Sequence, residues 1–190
     1  MKLTPTASQT AGPFLHLGLT EKNSVGRVAG KHAQGERVRL RCRITDADGA
    51  PVPDAVVEIW QANSLGKYQH PDDPQQKPDD PDCYGFGRLA VGEDGRCTFE
   101  TVRPGCVPGP DNSVQAPHLN ISIFARGLLK HLVSRIYFAG DPEIANDPVM
   151  RLVPPERRES LLAHPDPTHP GSWLFEIRLS GEAETVFFAV

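Results

Sequence analysis

The sequence predicts an all-β, single-domain, two-sheet β-sandwich of about eight strands with long loops and one short helix, on three observations. Short apolar runs alternate with polar residues at a period of two, which is what strands with one buried face produce. The 17 Gly and 19 Pro lie between those runs without a repeat, as in ordered loops joining short strands. A length of 190 residues suits one substantial core.

Residues 1–36 hold Thr4-Pro5, Gly12-Pro13, Gly18, Gly26, Gly30 and Gly35, with too little periodicity for a helix or a long strand. They read as an extended N-terminal arm ahead of a sandwich domain over residues 37–190. Phe14, Leu15, Leu17 and Leu19 are apolar enough for the arm to dock and so offset its ordering entropy. Arg37 to Ile44 alternates four Arg with four apolar residues and predicts a strand whose arginines form its wet face. Asp46-Ala47-Asp48-Gly49 is a turn, and Ala55 to Trp60 a second strand. Between Gln61 and Asp82 the pattern stops in a long, proline-rich and aspartate-rich loop of the kind that often carries function. Its Asp72, Asp73, Asp79, Asp80 and Asp82 lack the spacing of a calcium loop.

Phe86 to Val91, the turn Gly92-Glu93-Asp94-Gly95 and Arg96 to Val102 read as a hairpin, and residues 103–110 break the sheet. Strands follow at 118–126 and 131–138. Pro154 to Ala163 is the one predicted helix, with proline at its start and charges at helical spacing. Trp173 to Ser180, the turn at Gly181-Glu182 and Thr185 to Val190 read as a closing hairpin.

The net charge of -4, without a basic stripe, gives no reason to expect nucleic acid. No run approaches the ~18 apolar residues of a membrane span and the first twenty residues lack a signal-peptide core, so a cytoplasmic location is expected. Cys42, Cys83, Cys97 and Cys106 show no Cys-x-x-Cys spacing and read as free thiols.

The stretch that carries chemistry is Ala116-Pro117-His118-Leu119-Asn120-Ile121-Ser122-Ile123-Phe124-Ala125-Arg126-Gly127. Leu119, Ile121 and Ile123 form the apolar face, and His118, Asn120 and Ser122 the polar one. Side chains two apart on a strand point the same way, so a His-x-His here could grip one metal ion. The second position is Asn120, a weak neutral ligand, so the pattern is that of no metal site or of a lost one.

With these elements placed, the chain resembles the intradiol ring-cleaving dioxygenases over nearly all its length. The resemblance rests on Thr4-Pro5 through Gly12-Pro13, on Val57-Glu58-Ile59-Trp60-Gln61-Ala62-Asn63 followed by Tyr68, and on Gly87-Arg88. It continues through Val102-Arg103-Pro104-Gly105, the Ala116 to Gly127 stretch and Gly181 to Phe188. It implies a ferric enzyme that splits an aromatic ring between adjacent hydroxyls with O₂. The family's iron ligands, two tyrosines and two histidines, fall here on Tyr68, Val107, His118 and Asn120. Half the set is missing, so no iron is expected in this chain; Tyr68 and His118 read as relics.

The resemblance is to the alpha chains of the family's two-chain members, which pair with an iron-bearing beta chain of similar fold and assemble further into a hetero-oligomer. It implies protocatechuate and O₂ as substrates, ferric iron held by the beta chain, and no catalytic residue in this one. It also implies that Thr10, Gly12 and Pro13, with Phe14 beside them, reach toward the partner's iron. Arg126 then meets the ring carboxylate, for which a guanidinium is a charge-assisted fork. Arg135 is a weaker candidate for the same role, with no motif behind it. Two other readings are a single-chain enzyme recruiting His16, His32 or His131, and a prealbumin-like binding module without catalysis. The arm and the Ala116 to Gly127 stretch favour the enzyme subunit, because a generic module needs neither.

Overall fold

The computed structural model describes residues 4–189. Val190, the end of the predicted closing hairpin, and residues 1–3 of the predicted arm lie outside them.

Ten strands form in chain order: β1 (Arg37–Thr45), β2 (Val56–Gln61), β3 (Phe86–Ala90), β4 (Arg96–Val102), β5 (Val107–Pro108), β6 (Val114–Gln115), β7 (His118–Phe124), β8 (Leu132–Phe138), β9 (Leu162–Pro165) and β10 (Ser172–Arg178). The chain is all-β as expected, but the strands do not make two separate sheets. Eight of them form one mixed sheet in the order β3-β2-β7-β8-β9-β10-β1-β4, and β5 and β6 pair apart from it. β9 joins the two halves, running parallel to β8 and antiparallel to β10.

The open edges β3 and β4 are bridged by residues 25–30 of the N-terminal segment. Val25 exchanges both backbone hydrogen bonds with Arg88 on β3, while Glu100 N–H on β4 donates to Gly26 and Val28 N–H donates to Glu100. Tyr84 N–H then donates to Val28, and Gly30 N–H to Asp82. The sheet is thereby nearly closed into a barrel. Val28 is fully buried in the main core with Leu40, Ile59, Phe99, Ile121, Ile136 and Phe175.

The N-terminal segment is therefore not wholly extended, and of the predicted docking residues only Leu15 and Leu19 are half-buried. Pro13–Leu19 forms a short helix, α1, with proline in its first turn, yet Phe14 and Leu17 are exposed. What docks is the seam at 25–30, whose apolar content is modest but whose backbone satisfies two sheet edges.

Both predicted hairpins are corrected. The Gly92 to Gly95 turn closes, but β3 pairs with β2 and β4 with β1, because residues 25–30 lie between β3 and β4 and take their facing backbone groups. At the C-terminus Thr185 N–H bonds Arg178, after which the chain leaves β10 and Phe188 bridges Val133 on β8. The predicted helix is a 3₁₀ helix over Pro155–Leu161 that runs directly into β9. A true α-turn lies earlier, at Pro148–Leu152 (α2), capped by Asp147, whose carboxylate accepts from Val149 and Met150 N–H.

The arginine face of β1 points outward as expected. Arg39 meets Glu100, Arg41 meets Asp166 and Arg43 meets Glu176. All four cysteines are free thiols, and Cys42, Cys83 and Cys97 are buried.

Candidate functional site: the cleft beside β7 and the arm

β7 runs antiparallel between β2 and β8, and its register sets the site. Asn120 lies opposite Trp60 on β2 and Arg135 on β8, and His118 lies opposite Tyr137. The loop after β2 folds over this polar face. It is held by the buried Asn63, whose side-chain oxygen accepts from Leu65 and Lys67 N–H and whose amide donates to Pro78. Gln61, also buried, ties the loop's root to Val102 and Thr101. The aspartates are loop staples: Asp73 accepts from Tyr68 and Gln75 N–H, Asp80 from Gln34 and Asp82 N–H, and Asp82 from His32 N–H. This is why an acidic loop without calcium spacing holds a fixed shape.

Beneath the loop lies an open cleft of about 610 Å³, lined among others by Trp60, Tyr68, His70, Val107, His118 and Arg135. Tyr68 stacks on Trp60 at 5.8 Å between ring centroids, and the Asn120 amide reaches its hydroxyl at 3.5 Å. His118 is buried and donates from Nδ1 to the Ala116 carbonyl at 2.8 Å, so Nε2 keeps the ring's lone pair. Burial, reinforced by the Arg135 charge, lowers the His118 imidazole to about 4 and keeps it neutral at physiological pH. Burial also raises the Tyr68 phenol above its ordinary value, against the downward pull of the Asn120 amide and Arg135.

Behind the cleft stands the fully buried Asp147. It accepts from Ala116 N–H at 2.8 Å, Tyr137 O–H at 3.1 Å, Val149 N–H at 2.9 Å and Met150 N–H at 2.8 Å. Tyr137 in turn accepts from Arg135 Nη1 at 3.4 Å, and the same nitrogen donates to Gln115 Oε1 at 2.7 Å. Sequence reasoning missed this support, and gave Arg135 only as a weaker candidate without a motif. Asp147-Pro148 was a visible cap signal, but the position of Arg135 follows from strand register, which periodicity does not give.

The structure brings together the four positions on which the resemblance places iron ligands, since Tyr68, Val107 and His118 line one cleft and Asn120 bonds Tyr68. The donor set does not fit ferric iron. A hard cation needs charged or strongly basic donors; Val107 offers methyl groups and the Asn120 amide is turned to the tyrosine. Among the described residues, no three His, Cys, Asp or Glu side chains cluster as metal ligands.

A second feature lies beyond the other end of β7. Thr10 Oγ1 accepts from Gly127 N–H at 2.7 Å, and Ala11, Gly12, Pro13, His16, Asp54 and Arg126 line one open cleft of about 480 Å³. Arg126 pairs with Asp54 at 3.1 Å, with both side chains more than half exposed. His16 Nε2 donates to the Asp54 carbonyl, His131 stacks on Phe124, and His32 sits in the loop over Asp82, so these three histidines do not converge.

A family model described as dioxygenase matches residues 10–181. The protocatechuate 3,4-dioxygenase alpha chain of Pseudomonas putida is 38% identical, over 98% of this chain and 96% of that one. The chain belongs to the intradiol dioxygenase family. The protocatechuate 3,4-dioxygenase beta chain of Burkholderia cepacia is also related, at 36% identity over 80% of this chain and 67% of that one. The hydroxyquinol 1,2-dioxygenase structure from Pseudomonas putida DLL-E4 superposes with a TM-score of 0.65 at 24% identity, covering 93% of this chain and 68% of that one, and attests the shared fold. No helix among the described residues is long and apolar enough to cross a membrane.

Proposed function

We propose that this chain is the iron-free alpha subunit of a protocatechuate 3,4-dioxygenase. Its partner is a beta chain of similar fold that holds ferric iron, and the pair assembles into a larger hetero-oligomer. The enzyme converts protocatechuate and O₂ to 3-carboxy-cis,cis-muconate, and the chemistry supplied by the iron belongs to the partner. This chain contributes surface. Thr10, Gly12 and Pro13 would line the partner's pocket, and Arg126 would hold the ring carboxylate.

One observation carries the reading. Arg126 lies beyond the end of β7 opposite to His118, about 20 Å or more away at the ~3.3 Å rise of a strand. It lines the cleft of the arm and not the cleft of Tyr68, Val107 and His118. An arginine so placed cannot serve the cleft of its own chain, and it suits a ligand held by another. Its exposed pair with Asp54 is no obstacle, because ion pairs of that kind contribute only about 0–1 kcal/mol.

The test is co-expression with a beta chain and steady-state turnover. The chain alone is expected to be inactive. Arg126→Ala in the complex is expected to lower kcat/KM for protocatechuate by about 10- to 100-fold while leaving catechol within about twofold, the loss of one charge-assisted hydrogen bond. Equal effects on the two substrates would remove Arg126 from the carboxylate, and turnover by the chain alone would overturn the subunit reading.

A further inference from the structure

We propose that the cleft under the 61–85 loop, having no fit for iron, is a metal-free binding site for a small phenolic carboxylate, with Arg135 holding the carboxylate. The inference concerns this chain's own cleft and does not rest on the subunit reading.

Arg135 is the first argument. Its guanidinium lines the cleft and is held by two neutral partners, Gln115 and Tyr137. No carboxylate lies within 4.0 Å of it among the described residues, whereas the outward arginines of β1 at 39, 41 and 43 each meet one. The negative charges nearby are committed elsewhere. Asp147 is engaged by four donors behind Tyr137, and Asp73 is engaged by the backbone of its own loop. Asp72, also on the lining, is almost wholly exposed and pairs loosely with His70. A preorganised, half-buried guanidinium without a counter-charge is an anion site.

The remaining walls specify the rest of the anion. Trp60 and Tyr68 stack on each other near-parallel, 12° apart, and an outer face of that stack offers a planar ring an aromatic surface. His118 Nδ1 is engaged by the Ala116 carbonyl, which leaves Nε2 as an acceptor, and the Tyr68 hydroxyl, which accepts from Asn120, retains its own proton to donate. A ring hydroxyl can donate to the first and accept from the second. The volume of about 610 Å³ suits a single-ring ligand. The Gln75 Oε1 atom, buried on the same lining without a partner, is a further acceptor for a ligand donor.

The test titrates the full-length chain, purified without a partner and treated with a chelator, with 4-hydroxybenzoate by ligand-observed NMR and calorimetry. Saturable one-to-one binding is expected. Arg135→Gln should weaken it by about tenfold or more, as loss of a charged hydrogen bond does; the uncharged 4-hydroxybenzyl alcohol should bind the wild type equally poorly. Arg126→Ala should leave binding unchanged. Trp60→Leu, which removes the aromatic wall and leaves the charge, should also weaken binding, and it keeps the test informative if Arg135→Gln does not fold. Absence of saturable binding to the wild type, indifference to both Arg135→Gln and Trp60→Leu, or dependence on added metal would each overturn the proposal.

Discussion

Replacing Asp147 by alanine should cost the fold about 3–5 kcal/mol, because it removes one acceptor from four donors. Two of these, the Val149 and Met150 amides, open α2, and loss of such a cap costs about 0.5–2 kcal/mol. The other two, Ala116 N–H and Tyr137 O–H, belong to buried residues, and each buried donor left unpaired costs about 1–3 kcal/mol. A water entering the vacated carboxylate site would recover part of this, which places the expectation in the lower part of the sum. Urea unfolding followed by fluorescence should show a lower midpoint with an unchanged m-value, and the melting temperature should fall by about 6–20 °C for a chain of this size. Asp147→Asn keeps an oxygen for the cap and Tyr137 but turns an N–H₂ toward the Ala116 N–H, so its loss should be intermediate. Tyr137→Phe removes one donor with its hydroxyl and should cost about 1 kcal/mol. A loss below about 1 kcal/mol for Asp147→Ala would refute the reasoning, since it would mean that these groups are not dry enough to need the carboxylate.

His118 should make stability depend on pH. Its folded value of about 4 lies below the ordinary 6.5, so the unfolded chain takes up a proton that the folded chain refuses. Its contribution is complete above about pH 6.5 and is lost as pH falls toward 4, at most about 3 kcal/mol. Comparing wild type with His118→Gln between pH 7 and 4 checks this; parallel profiles would contradict it. The loop can be tested at two glycines with the same backbone sign. Gly49 has φ +81° and open space around it, so Gly49→Ala should cost about 1–2 kcal/mol for the left-handed conformation alone. At Gly66, with φ +80°, an added methyl would run into the Cys106 carbonyl. Gly66→Ala should therefore cost more and should also expose the cleft-covering loop to proteolysis, while equal costs at the two positions would count against a tightly seated loop.

The strands were legible where one face is dry. β1 and β7 show the alternation, and their ends fall within one or two residues of expectation, because burial on one side imposes a period of two. What the pattern could not give was partnership. Gly92 to Gly95 turns the chain equally well whether β3 and β4 then pair or part, and they part because residues 25–30, distant in sequence, lie between them. The same limit governed the site. His118 and Asn120 were visible through spacing, and Tyr68 and Val107 through resemblance, but Arg135 was a weaker candidate without a motif, and its place beside Asn120 emerged only once β8 was laid beside β7.

That register has a consequence for function, because β7 serves two surfaces with one rigid strand. Its first residues, His118 and Asn120, face the chain's own cleft, whereas Arg126 and Gly127 beyond its last turn toward the arm and outward. The two arginines share no hydrogen-bonding partner, Arg135 being held by Gln115 and Tyr137 and Arg126 by Asp54. Sites so separated should contribute additively, within about 0.3–0.5 kcal/mol. The residues present at Val107 and Asn120 therefore need not bear on the arm surface, since the far end of the strand and its Thr10 contact are built without them. A chain could lose its own metal and still keep the part of its surface that another chain's ligand meets. In the complex, the double variant Arg126→Ala, Arg135→Gln should show the turnover defect of the first and the binding defect of the second, with neither enhancing the other. Strong coupling between them would mean that the two clefts are one site divided between chains, and the assignment of separate ligands would have to be given up.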